Sequence, residues 1–452
     1  SAYDYVMTKG IKPARDFMLG GGHTYMFSGP FKSSLSLNLN EKATVEAVSA
    51  NGHTPLIWSA DVRSGRTVTC NIGIYGKVVR GFYASAFSLL GSATAYPVIN
   101  SAAFYLDDFP SPVPSGDATY IKRDYGMSIA DFYSKVWWPD LTKLAERYGI
   151  RFTGVMIENY GDDTKDAPVR QKDESHFSYF GGLLLKQNGE IGYHGYNHQP
   201  LVLPNTDYGD EYAYHQWPNR KAVVASLREL IAFQKSVLPA ATASVYVPPS
   251  NILSKEGRQT IGRDVPEIRT IASTYLPSDS KLPYVQEFGV ADDGIVEAPR
   301  IVSGGMVGDY MRLAAESELN MHFVSTHFMH PDDMLDPDRG AKEGWAVYRK
   351  GLENYLDWLE ASAPSIRMQT GTECASAVQR FSGLTVKMRE SANEWEFDLG
   401  NFKDQAWLLL RANHGTPGRI QGGSMIRMTG NLYLIKTTDS TVHVERKAGG
   451  AA

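Results

Sequence analysis

Residues 102–110 read AAFYLDDFP. The apolar run Ala102, Ala103, Phe104, Tyr105, Leu106 stops at Asp107-Asp108, the pattern of a strand that delivers two carboxylates at its C-terminal end. Downstream of it, strand-like and helix-like stretches alternate. Residues 129–149 set Phe132, Val136, Trp137, Leu141, Leu144 and Ala145 at helical spacing, with Gly149 as the stop. Residues 152–157 read as the next strand, and residues 177–185 lead into a turn at Gly189. A long amphipathic helix is expected over 220–237, a short strand over 244–247, further strands or turns within 265–273 and 294–302, a helix within 303–319 and a strand over 321–326. Trp345, Tyr348, Leu352, Tyr355 and Leu359 are again in helical register. Alternation of this kind across residues 101–377 predicts an α/β barrel or a related layered fold.

Working outward, residues 1–100 carry short apolar runs broken by Gly20-Gly21-Gly22 and Asn51-Gly52, with a strand expected over Thr67 to Ile74 and a helix-like period over Lys77 to Leu90. They read as a small unit or as the remainder of a larger α/β domain truncated upstream. Residues 378–452 offer six short strands, within 384–388, 394–399, 406–410, 424–428, 432–436 and 441–445, separated by polar or glycine turns. They predict a C-terminal β-sandwich with a structural or carbohydrate-binding role.

Composition sets bounds on this picture. A chain of 452 residues, 42% hydrophobic and 21% charged, is an ordinary globular protein long enough for two or three domains. The net charge of -5 provides no broad cationic surface, so no nucleic-acid partner is expected. Cys70 and Cys374 lie far apart without a CxxC partner and are expected to be free thiols. The stretch SAYDYV lacks the charged and apolar regions of a signal peptide, so none is expected within the sequence, and a secretion signal or anchor upstream of it would not be visible.

Two further polar clusters accompany Asp107-Asp108. GEIGYHGYNHQP, residues 189–200, brings His194 and His198 four residues apart, and MHFVSTHFMHPDD, residues 321–333, reads as a strand ending in histidines. Histidines four apart are weak evidence alone, and a DD pair before Phe109-Pro110 is commonly a solvated turn. The weight lies in the combination. One carboxylate and two neutral imidazoles are the donor set of a catalytic zinc site, giving Asp108, His194 and His198 as ligands of a divalent metal, expected to be Zn2+. Asp107, pointing differently from its neighbour, is then the general base. Tyr193 and Tyr196 flank the histidine pair and are candidates to stack on substrate, and Asn251 is a candidate polar contact. Glu158 ends a predicted strand, where a salt bridge is the commoner role. Paired carboxylates also serve glycoside hydrolases, and a noncatalytic carbohydrate-binding protein is the third alternative.

YLDDFP, GEIGYHGYNH and the late STHFMHPDD together resemble the motifs of the polysaccharide deacetylase, or NodB-homology, superfamily over residues 101 to 360. The resemblance implies a distorted (β/α) barrel, Asp107 as base, Asp108, His194 and His198 as metal ligands, and either His330 or His327 as the acid. It further implies metal-dependent N-deacetylation of an amino-sugar polymer, with GlcNAc or GalNAc residues, releasing acetate. DDFPSPVPSG, YVPPSNILS and STHFMHPDD also resemble a branch that includes Pel-type exopolysaccharide deacetylases. That implies an extracellular, periplasmic or cell-surface setting and an exopolysaccharide synthesis or export complex as partner. Two departures stand out: the stretch from Tyr246 to Asn251 lacks the family's arginine that orients the base, and no Asp-x-Trp motif is present.

Overall fold

Ser101–Asp107 is buried along its whole length because it forms the middle of a curled, almost entirely parallel sheet. The computed structural model describes residues 5–6, 8–26, 33–63, 65–73, 76–204, 206, 208, 212–277 and 281–448. To one side of Ser101–Asp107 the sheet continues through Phe152–Met156, Glu190–Tyr193, Val245–Tyr246, Thr270–Ile271 and Val296–Glu297; to the other lie Val324–Met329 and Val302–Ser303. Only the edge pair Gly289–Val290 and Val296–Glu297 is antiparallel among these. The two directions meet in one chain segment. Ala298 and Arg300 donate backbone hydrogen bonds to Ile271 and Ser273, and the next residue, Ile301, donates to Thr326 on the opposite flank.

Parallel strands joined by helices are covered on both faces, so their apolar residues need not alternate with polar ones. They do alternate in destination. Ala102, Phe104 and Leu106 join the large core shared with the helices, whereas Ala103 and Tyr105 face a smaller inner cluster with Val155, Val245, Val247, Ala272 and Cys374. The predicted helix over 129–149 is continuous in course but carries a five-residue π-helical stretch, Tyr133–Trp137, before Trp138–Tyr148. It ends where expected, with Gly149 at φ 69°, a conformation glycine adopts without the penalty of a Cβ. Helices Arg220–Val237 and Trp345–Ser362 also form at the expected places.

The first segment differs from an α/β unit. Its five-stranded sheet, in the order Tyr25–Met26, Gly10–Pro13, Thr44–Ser49, Pro55–Val62 and Gly65–Cys70, is antiparallel throughout. Exposed and half-buried residues alternate along Gly65–Cys70, as in a sheet with one wet face. The strand expected to reach Ile74 stops at Cys70, and Ile74 lies outside the described residues. Helix Arg80–Ser88 then packs on helix Asp309–Met321 of the parallel-sheet unit; a Cβ at Gly81 would collide with the Ser317 carbonyl.

The C-terminal strands form two four-stranded antiparallel sheets around Trp395, Phe397, Leu408, Leu410, Ile435, Val442 and Val444. Thr416–Gln421 is a strand that sequence patterning leaves unassigned. One of the eight strands comes from far upstream: Ala93–Val98 pairs with Ala406–Ala412 along its full length. Both cysteines are free. Among the described residues, no helix is long and apolar enough to cross a membrane.

Candidate metal centre and active site

The site forms where the parallel strands end. Asp107 is the last residue of its strand, Asp108 follows at φ 57°, and His194 follows Glu190–Tyr193 immediately. His198 (φ 58°), Ser250 (φ 49°) and Asn251 (φ 59°) also have left-handed backbone, so the loops around the site concentrate a conformation that non-glycine residues avoid.

Asp108 Oδ1 lies 3.4 Å from His194 Nε2 and 3.8 Å from His198 Nε2. The His194 ring is fixed by a 2.8 Å hydrogen bond from Nδ1 to the Val247 carbonyl. A carbonyl can only accept, so Nδ1 carries the proton and Nε2 presents its lone pair toward Asp108. Burial lowers the His194 pKa to about 3 and that of His198 to about 4, keeping both rings neutral. Burial raises the Asp108 pKa to about 7, and its Oδ1 is enclosed without a hydrogen-bond partner among the described residues. An unmatched buried carboxylate oxygen facing two imidazole nitrogens fits a divalent cation: the three ligand atoms lie within 4.8 Å of one another.

Asp107 points elsewhere, because the strand ends with it and Asp108 turns away at φ 57°. Both of its oxygens accept from Arg300 Nη1, at 2.7 and 2.6 Å, and Arg300 Nη2 donates to Asn251 Oδ1 at 2.6 Å. Burial would raise the Asp107 pKa, but the Arg300 guanidinium together with the neighbouring His194 and His330 reverses it and holds the carboxyl below its usual range. Arg300 is 1% exposed and lies over the Phe328 ring, 4.0 Å from its centroid. Arg300 thus reaches Asp107 from the segment where the curled sheet meets itself, and Asn251 Oδ1 is engaged by the same guanidinium.

Of the two late histidines, His330 faces the site and His327 does not. In Val324–Met329 alternate residues point oppositely: Phe328 lies under Arg300, so His327 turns outward, where it packs on Phe104 and Tyr355 and its Nε2 bonds the Gly304 carbonyl at 2.8 Å. His330 follows the strand, with Nε2 3.6 Å from Asp107 Oδ2 and Nδ1 3.3 Å from Asp333 Oδ1. Asp333 is itself held by Tyr348 Oη at 2.5 Å and by Arg339 at 3.3 Å. Burial lowers the His330 pKa, but Asp333 and Asp107 more than reverse it, raising it to about 9.

The two tyrosines expected to stack on substrate face elsewhere. Tyr193 is on the opposite face from His194, 1% exposed, with its hydroxyl on Gln234 of helix Arg220–Val237. Tyr196 is buried, and its hydroxyl is tied to the Val169 backbone. Tyr160 and Tyr214 stand nearer the centre: Tyr160 is 55% exposed in a cleft of about 780 Å³ that also includes Asp108, Pro112, Val113, Leu335 and Arg339, and the Tyr214 ring lies 6.0 Å from that of His198. Neither has a distinctive sequence spacing from the histidines. Glu158 is fully buried; one oxygen accepts from the Gln171 backbone, and burial raises its pKa to about 7.

A mixed α/β protein with a carboxylate-histidine group at the C-terminal edge of a parallel sheet is the class that these observations define. The chain belongs to the family described as "Uncharacterised protein conserved in bacteria (DUF2194)", which it matches over residues 4–434. No functionally curated protein matches it. Among solved structures, it is similar to a Mycobacterium smegmatis protein inferred to be a polysaccharide deacetylase (16% identity, 63% of this chain and 91% of that one, TM-score 0.38). It is also similar to Thermotoga maritima alpha-fucosidase (9% identity, 77% and 95%, TM-score 0.30). A Nostoc punctiforme debranching enzyme is a third such structure (11% identity, 78% and 99%, TM-score 0.30).

Proposed function

We propose that this protein is a metal-dependent hydrolase that removes N-acetyl groups from an amino-sugar exopolysaccharide, and that its curled sheet is the distorted (β/α) barrel of the polysaccharide deacetylase type. The observation that carries the reading is the enclosed, unmatched Asp108 Oδ1 facing His194 and His198, with Asp107 and His330 set apart as a separate acid-base pair. Asp108, His194 and His198 would hold the ion, and two imidazoles with one carboxylate suit Zn2+. When bound, such an ion supplies Lewis-acid polarisation of a carbonyl and easier ionisation of water.

The chain's own residues manage the protons. Asp107, kept ionised by Arg300, retains lone pairs on each oxygen and takes a proton from the water that adds to the acetamide carbonyl carbon. His330, kept protonated beside Asp107 and Asp333, gives a proton to the sugar nitrogen as the C–N bond breaks. Water and amide thus yield acetate and an amine. Tyr160, Val113 and Leu335 give the cleft apolar surface suited to a sugar face. The proposed setting is extracellular, periplasmic or at the cell surface, beside an exopolysaccharide synthesis or export complex; it rests on the motif resemblance described above.

Metal-loaded protein is expected to release acetate from an acetylated hexosamine polymer while leaving its chain length intact. Asp107→Asn should cut release by about 10²–10⁴-fold yet retain the ion, as suits loss of a proton acceptor rather than a ligand. Shortened chains without acetate would favour glycoside cleavage instead. A second prediction concerns pH. An acid must be protonated to act, so kcat/KM should fall as pH rises through about 9, where His330 deprotonates. Asp333→Asn removes the main support of that proton and should move the alkaline limb down toward the ordinary histidine range, about 6.5. An unmoved limb would assign the acid elsewhere.

A further inference from the structure

His330 belongs to a turn that two buried tyrosines fasten from outside it. The turn runs from His330 through the 3₁₀ stretch Pro331–Met334, and His330 N donates to Asp333 Oδ2 at 3.0 Å. Tyr133 opens the π-helical stretch, and its hydroxyl donates to the Pro331 carbonyl. Tyr348 lies in the first turn of helix Trp345–Ser362, and its hydroxyl donates to Asp333 Oδ2 at 2.5 Å. Local π-helical turns recur at functional sites, and here Trp345 packs on both Trp137 and Tyr348, joining the two helices behind the turn.

Tyr348 occupies a close-fitting slot. It is 0% exposed, and a Cβ on Gly305 or Gly340 would run into its ring. Burial raises its phenol well above the usual range, so the hydroxyl keeps its proton as a donor, while His330 holds the Asp333 carboxyl below its usual range against the effect of burial. The groups around that carboxylate divide between its oxygens. Oδ2 takes Tyr348 Oη and His330 N, whereas Oδ1 faces His330 Nδ1 and Arg339 Nη1, each at 3.3 Å. Among the described residues, Tyr348 is the one hydrogen-bond or ion-pair partner of Asp333 that comes from outside residues 330–339. The other titratable groups facing His330 are Asp107 and Asp108 from the strand end and His198 from the loop beyond Glu190–Tyr193. A carboxylate that shares its charge with a hydroxyl holds its imidazolium partner less tightly.

We propose that Tyr348 is a positioning residue for His330, acting through Asp333: it holds Oδ2 so that Oδ1 faces the imidazole, and by sharing the carboxylate's charge it leaves His330 able to release its proton. The inference rests on the reading of His330 as the acid. Tyr133 fastens the same turn through a neutral carbonyl, which makes it the matched comparison.

The test sets Tyr348→Phe beside Tyr133→Phe. Each deletes one buried hydroxyl and keeps the ring, but only Tyr348 bonds a charged group. The ionisation of His330 is followed by imidazole ¹⁵N NMR in the full chain, with wild type and both variants in the same zinc-containing buffer and His330→Gln supplying the assignment. Tyr348→Phe is expected to raise the midpoint by about half a pH unit or more, the reverse of Asp333→Asn, and Tyr133→Phe to leave it within about 0.2 of a unit. In the acetate assay, kcat of Tyr348→Phe at neutral pH should fall about threefold with KM within about twofold, because the acid gives up its proton less readily. A midpoint that is unmoved or lowered in Tyr348→Phe, or raised equally in Tyr133→Phe, overturns the inference. The two readouts separate the two claims. A raised midpoint without acetate release by the wild type removes the deacetylase reading and keeps the coupling of Tyr348 to His330, whereas acetate release with an unmoved midpoint removes the coupling alone.

Discussion

On the proposed metal-dependent reading, His194→Ala is expected to leave the protein without a bound ion and to lower acetate release by at least about 10³-fold. The expectation follows from how the ring is held. Nδ1 is committed to the Val247 carbonyl at 2.8 Å, Nε2 stands 3.4 Å from Asp108 Oδ1, and burial keeps the imidazole neutral, so the lone pair is preorganised and alanine supplies nothing in its place. Two of three ligands would remain, one of them a carboxylate whose burial already favours its protonated form. Metal content after dialysis and acetate release should therefore fall together, in contrast to Asp107→Asn, where the ion stays and turnover alone is lost. Retention of both by His194→Ala would refute the assignment of the centre.

Arg300→Met should be the most destabilising single change near the site. Arg300 and Asp107 are 1% and 2% exposed at their side chains, and methionine would leave Asp107 a buried charge without its counter-ion. Removing one partner of a buried pair costs about 3–5 kcal/mol, far more than the net worth of the pair. Asn251 Oδ1 would lose its donor at the same time. Chemical denaturation should show that loss, and turnover should drop with it. Asn251→Ala, which spares the charge pair, should cost only about 1 kcal/mol. Arg300→Lys should recover part of the stability but little of the activity, because a point charge cannot engage both Asp107 oxygens and Asn251 in the guanidinium's planar geometry. Near-wild-type stability for Arg300→Met would mean that Asp107 is neutral in the folded protein.

How much of this was legible in advance differs from residue to residue. The apolar run ending in Asp107-Asp108 and the helical spacing from Phe132 to Ala145 report local periodicity, and the corresponding strand and helix form there. Arg300 carries no such signal. It sits in EAPRIVS, among short strand fragments, and reaches Asp107 only because the curled sheet brings that segment across the strand ends. Strand alternation sets His327 and Phe328 on opposite faces, but which face is inner depends on the helices outside. The same rule, applied to Tyr193 and His194, would have separated those two from sequence alone. Tyr160 belongs to the long connection after Phe152–Met156, whose course depends on side-chain ties such as Asn197 to Asp163, and no periodicity reports such ties.

The strand Ala93–Val98 joins the C-terminal sandwich before the chain enters the parallel-sheet unit, so the sandwich embraces that unit from both of its ends. Arg411 tightens the embrace, donating to Ser88 Oγ and to the Phe17 carbonyl, each from the first hundred residues. Cutting the gene before residue 385 would therefore not cleanly remove an appendage. It would strand Ala93–Val98 as a naked edge with a row of unsatisfied amides, an invitation to stick to its own copies. Anyone seeking a minimal version should keep the tail or reconnect the ends, because the first and last thirds of the gene encode halves of one clasp.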